Sequence, residues 1–156
     1  MSVNDTTYKL RLGVVGFSAK NFDQVTATKY LQEGLLQILA AEGVAPNEVE
    51  LVSGLTNMGV PKLSYELAVS MKLRTVGISA AKAKRLSRFP VDKIIYSGQD
   101  FGDESPVFIE YITHLLRVGG GKQSRREVAL FKEKFVSSPE TLSRHLFEYE
   151  VEWYGK

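Results

Sequence analysis

The chain of 156 residues contains no cysteine. That excludes disulfides, thiolate nucleophiles and cysteine-bound metals, and it fits a reducing, cytoplasmic setting. Histidine is scarce as well. His114 and His145 are the whole set, which argues against a histidine-rich metal centre. No apolar run approaches the roughly 20 residues that cross a bilayer, so no membrane partner is expected. Residues 1–7 have neither the basic nor the apolar segment of a secretion signal, and residues 1–8 read as a short flexible leader. The formal net charge of +2 gives no reason by itself to expect a polyanion partner. A G-x-S-x-G elbow, a Walker A lysine motif and metal-ligand spacings are all missing. The reading therefore assigns no cofactor and no metal.

What is present suits one domain spanning 1–156, long enough for a sizeable core. Residues 10–17 (LRLGVVGF) form a near-continuous apolar run, the pattern of a strand covered on both faces. A polar loop with Ser18 and Asp23 as candidate caps leads to an amphipathic helix over 24–42, which Gly43 stops. A strand is expected over 48–53, then a glycine-bearing turn, then a helix past Pro61. Further strands are expected over 74–78, 93–96 and 114–118. Ser79 reads as the cap of a helix over 80–86, and Asp103 as the cap of a helix over 104–112. After 118 the spacing predicts a helix over 125–135, and Ser138-Pro139 opens a short one. Residues 146–153 (LFEYEVEW) alternate with period 2, the mark of a strand with one wet face, here an edge strand. Strands alternating with helices predict an α/β, Rossmann-like, doubly wound fold. Its mostly parallel sheet would have about five to six strands, helices on both faces and a C-terminal edge strand. Right-handed crossovers then put the strand C-termini, with Gly16 and Ser18 after the first, on one edge where such folds bind ligands.

Two turns on that edge carry the chemistry. The later one is Gly119-Gly120-Gly121-Lys122-Gln123-Ser124, followed by Arg125-Arg126-Glu127. Glycines between a strand and a helix N-terminus expose backbone amides and suit a phosphate. Ser124 and Glu127 are spaced as a capping box. Arg125 and Arg126 sit at the dipole end that disfavours cations, which fits a nearby anion, solvent or a partner subunit. The earlier turn, Gly54-Leu55-Thr56-Asn57-Met58-Gly59, supplies Thr56 and Asn57 as small polar groups that also suit plain turn chemistry. Lys82, Lys84, Arg85 and Arg88 read first as a solvated face. His114 reads as a satisfied core residue, and Asp100 and Glu104 as loop carboxylates.

Taken together, the two turns resemble those of the SLOG superfamily, which joins the LOG (lysine decarboxylase-like) and Smf DNA-processing proteins. Ser53-Gly54-Leu55-Thr56-Asn57-Met58-Gly59 is similar to the LOG turn G-G-x-x-x-G-x-M-G. The segment from Gly119 to Glu127 is similar to P-G-G-x-G-T-x-x-E, with Gly119 for proline, Gln123 for the third glycine and Ser124 for threonine. The LOG arginine on the preceding helix has no counterpart over 104–112. The resemblance implies a nucleotide or sugar-phosphate ligand held by Gly16, Ser18, Gly54, Thr56, Asn57, Gly59, Gly119, Gly120, Gly121, Lys122, Gln123 and Ser124. It implies hydrolysis less firmly. In that alternative a phosphoribohydrolase uses Glu127 to release a base from a nucleoside 5′-monophosphate. A DNA-associated, Smf-like module is the third reading. The likeness also implies a homo-oligomer, a dimer or larger.

Overall fold

The computed structural model describes residues 8–155, so all but the last residue of the expected leader lies outside the described residues. Six strands form one all-parallel sheet: β1 (Leu10–Gly16), β2 (Val49–Ser53), β3 (Arg74–Ser79), β4 (Lys93–Tyr96), β5 (His114–Val118) and β6 (Leu146–Tyr149). Their order is β4-β3-β2-β1-β5-β6. The chain winds outward from β1 through β4, then crosses back to place β5 on the other side of β1. The Rossmann-like, doubly wound expectation therefore holds.

The helices are α1 (Gln24–Glu42), α2 (Gly59–Met71), α3 (Ser105–Tyr111), α4 (Lys122–Glu133) and α5 (Pro139–Leu142), with two 3₁₀ turns at Pro46–Glu48 and Ala81–Arg85. The apolar stripes of α1 and α2, including Leu31, Leu35, Val60 and Tyr65, cover one face together with Leu12 and Leu116. On the other face Phe108, Ile109, Val128 and Phe131, from α3 and α4, pack on Val15, Val76 and Leu115. Central strands β1, β2 and β5 are thus covered on both sides, as their near-continuous apolar runs require.

Several local features follow from single residues. Asp23 caps α1 by accepting the Thr26 amide at 3.1 Å and the Thr26 hydroxyl at 2.6 Å. Gly43 closes α1 in the left-handed conformation, φ 65°. Tyr65 is fully buried, and its hydroxyl accepts from the Ser53 amide and donates to the Val76 carbonyl, joining β2 to β3.

Four expected local signals are corrected. Helix α2 begins at Gly59, so Pro61 is its third residue, a place where the missing N–H has no intrahelical partner in any case. Ser79 is the end of β3; its hydroxyl accepts the Leu55 amide, and the following turn starts from Ala80 with no side-chain cap. Asp103 does not cap α3. It folds back on the preceding loop and accepts the amides of Gln99 and Asp100. Strand β6 ends at Tyr149, short of residue 153, because the chain beyond it swings away: Phe22 bridges Trp153 in the antiparallel sense. The glutamates of the expected wet face also do more than solvate it. Glu148 and Glu150 accept from the buried Arg117 guanidinium, both at 2.8 Å.

Candidate functional site

The C-terminal ends of β1, β2, β3 and β5 open onto a cleft of about 920 Å³. It lies at the point where the strand order reverses between β1 and β5, the usual ligand crevice of a doubly wound sheet. Its volume falls within the range that holds small molecules.

The glycine turn after β5 forms one wall. Gly119 and Gly120 both have positive φ, 63° and 106°. A Cβ at Gly119 would strike the Phe17 ring at 2.5 Å, and one at Gly120 would strike the Ser124 hydroxyl at 2.6 Å. These two glycines are demanded by the turn itself. Gly121 is different: its φ is −101°, and a Cβ there would meet nothing within 4 Å. Gly54, across the cleft, has no positive φ and a Cβ there would touch only the Ser79 hydroxyl, at 3.6 Å. Neither packing nor backbone conformation requires glycine at Gly54 or Gly121, and both line the cleft.

The helix after the turn begins earlier than its sequence suggests. Helix α4 starts at Lys122, with Gly121 as N-cap and no side-chain cap. The expected capping box is therefore absent. Ser124 is inside the first turn and donates to the Gly16 carbonyl at 3.2 Å, tying α4 to the end of β1. The early start brings the first helical amides, those of Lys122, Gln123 and Ser124, to the cleft wall with no carbonyl one turn behind them to bond. Lys122 is exposed on that wall and, among the described residues, makes no ion pair. Arg125 and Arg126 are both engaged elsewhere. Arg125 binds Glu150 at 3.0 Å and the Gly120 carbonyl, and Arg126 donates to the Gly102 carbonyl at 2.7 Å.

Glu127 is buried against the same cleft, 5% exposed. Its carboxylate accepts from the Ser105 hydroxyl at 2.7 Å and from the Gln123 amide at 3.4 Å. Burial pushes its pKa up; those two hydrogen bonds pull it down, and the nearby Glu104 charge pushes it up again. Glu104 is itself buried, accepting from the Gly102 amide and from Gln123 at 3.1 Å. Its expected role as a solvated loop carboxylate is thus corrected. Gln123 bridges the two acids, Glu104 at the N-cap of α3 and Glu127 within α4.

Of the residues implicated by sequence, Gly16, Ser18, Gly54, Thr56, Gly120, Gly121, Lys122, Gln123, Ser124 and Glu127 line the cleft. Asn57, Gly59 and Gly119 do not. Asn57 donates its side-chain amide to the Ser87 hydroxyl. Gly59 packs under the β1 loop, where a Cβ would meet the Phe17 carbonyl at 2.3 Å. Sequence reasoning missed Glu104, Phe101 and Trp153, all on the cleft rim or wall. The signal for the aromatic pair was available: large apolar rings in otherwise polar stretches, 46% and 45% exposed here. The basic cluster is a decorated surface. Arg88 donates to the Tyr96 hydroxyl, Lys84 lies over the Tyr96 ring and Lys82 faces Asp100 at 3.7 Å.

No helix among the described residues is long and apolar enough to cross a membrane. No protein-family model matches the chain, and no curated protein matches it.

Proposed function

We propose that the chain binds a nucleotide or a closely related sugar phosphate in the cleft between the two glycine turns. The observation that carries this reading is the pair Gly54 and Gly121: both are glycine where the protein itself needs none, and both face the cleft. A ligand approaching the backbone supplies the missing reason. The phosphate is assigned to the amides of Lys122 to Ser124, where the helix dipole adds positive charge. Lys122 supplies a cation at a helix terminus that otherwise disfavours one. The rings of Phe101 and Trp153 offer apolar faces for a base. The likeness of the two turns to the SLOG superfamily supports the same reading and belongs to the proposal.

Catalysis is a second reading, favoured by Glu127. A buried carboxyl with a raised pKa suits a general acid, or a group that stabilises an oxocarbenium ion once ionised, in release of a base from a nucleoside 5′-monophosphate. The basic cluster gives the DNA-binding reading no comparable support, since three of its four cations already have partners.

Calorimetry with AMP, ribose 5-phosphate, NAD, ADP-ribose and cyclic nucleotides tests the binding reading, and chromatography of the incubated mixtures tests turnover. Saturable binding that weakens in Gly121→Val supports the proposal. Base release lost in Glu127→Ala adds the hydrolytic reading. No binding by any of these ligands, with salt-sensitive retention on DNA, overturns both.

A further inference from the structure

The two histidines of the chain meet at the opposite edge of the sheet from the cleft. His114 opens β5, His145 lies just before β6, and Glu42 is the last residue of α1. Their rings stand 4.5 Å apart, tilted by 45°. One donor atom from each of His114, His145 and Glu42 lies within 4.8 Å of the others. His114 Nε2 is 3.1 Å from Glu42 Oε2.

We infer that Glu42, His114 and His145 form a binding site for a divalent transition metal ion, zinc being the best fit, with water as fourth ligand. Two imidazoles and one carboxylate are an established donor set for such ions, leaving one position open. The remaining ring nitrogens are held in the way metal-binding histidines require. His145 Nδ1 lies 3.0 Å from the Thr141 carbonyl oxygen, a bond that only a protonated Nδ1 makes, so its Nε2 keeps the lone pair. His114 Nδ1 lies 2.8 Å from the Thr113 hydroxyl. That hydroxyl also accepts from the Arg11 amide and donates to the Arg11 carbonyl at 3.2 Å, which leaves its second lone pair able to accept a hydrogen bond from His114 Nδ1–H. In that tautomer His114 Nε2 faces the Glu42 carboxylate with its lone pair, and a cation between the two would be ligated by both.

Arg144 and Lys134 lie close enough to His145 for their positive charges to act on it, and they oppose a bound cation. Ligand atoms of a tetrahedral zinc site are about 3.4 Å apart at the usual bond lengths. The Glu42 side chain is 30% exposed and reaches solvent, which makes it the adjustable ligand of the three. A bound ion would tie the end of α1 to the starts of β5 and β6, fastening the short edge strand.

The test uses the untagged full chain, because a histidine tag would bind the same ions. Zinc is titrated by calorimetry and cobalt by visible absorption, with thermal unfolding followed in zinc and in EDTA. The expected result is one zinc per chain, cobalt bands of a four-coordinate N/O site, and a higher Tm in zinc. His145→Ala should weaken binding by about 100-fold or more. Glu42→Gln, at an exposed helix end and safe for folding, should weaken it in the same direction. No saturable binding, or binding that both variants retain, overturns the site. Since the chain has only these two histidines, histidine-dependent cobalt bands have no other origin.

Discussion

The Ser105 hydroxyl donates to the Glu127 carboxylate at 2.7 Å, joining the first residue of α3 to the middle of α4 inside the cleft wall. Both residues are buried. The bond holds a carboxyl group at the cleft that burial drives toward its neutral form. Its pH behaviour follows.

Glu127 is predicted to cost stability as pH rises. Its folded pKa is above the ordinary glutamate value, so the native state holds the proton more tightly than the unfolded chain. Stability then falls as pH climbs from the ordinary carboxylate range through the raised pKa. Glu127→Gln removes that dependence. Urea unfolding of both proteins across pH should show their difference near zero in acid and growing in the variant's favour toward neutrality. A constant difference refutes the assignment.

Gly120 and Gly121 should separate by function. Gly120→Ala forces a side chain into φ 106° and against Ser124, and should cost about 1–3 kcal/mol of stability. Gly121→Ala should stay within about 0.5 kcal/mol of the parent. It should nevertheless weaken AMP binding about tenfold, roughly 1.4 kcal/mol. Paired thermal melts and calorimetry read both quantities. Loss of stability without loss of affinity at Gly121 would put its role in the turn alone.

Tyr65→Phe should destabilise the chain by about 1–3 kcal/mol. It leaves the buried Ser53 amide and Val76 carbonyl without the hydroxyl that joins them. For a chain of this size that corresponds to a Tm lower by roughly 2–4 °C per kcal/mol. Calorimetric melts measure it directly.

Glu150 should titrate at about pH 2, held down first by its bonds to Arg125 and Arg117. A depressed carboxylate stabilises the fold above the ordinary glutamate range, and that contribution is lost as pH falls through about 2. The side chain is 66% exposed, so the energy involved is small and salt-sensitive. NMR titration of the Glu150 carboxyl carbon tests the midpoint. Arg117→Met should return it toward the ordinary value.

The strands were the most legible part of the chain. Residues 93–96 and 114–118 can be bounded from sequence because their apolar runs end in glycine or a polar break. Helix starts were less so. Ser124 and Glu127 are spaced as a capping box, yet both side chains turn inward, because the Gly16 carbonyl and the Ser105 hydroxyl are brought to them by distant segments. Ser79 and Asp103 misled in the same way, each finding a tertiary or loop amide in place of a helix cap. At the cleft, the glycine turns announced themselves locally. Glu104 did not, since its burial depends on Gln123 lying opposite, 19 residues later in the chain. The pairing of His114 with His145 was hidden for the same reason: nothing local shows that β6 lies beside β5.

The reversal of strand order also sets a timetable. β5 docks beside β1 only after the three strands on the other side, β2 to β4, have been made, and Arg11 meets Thr113 across 102 residues of chain. Contacts of such long range close slowly. Until they close, β1 presents an unpaired edge and the Gly16 carbonyl has no Ser124 to receive. A nascent chain ending before β5 therefore carries one glycine turn without the other. It would be a half-made cleft with an open strand edge, a species prone to aggregate during synthesis.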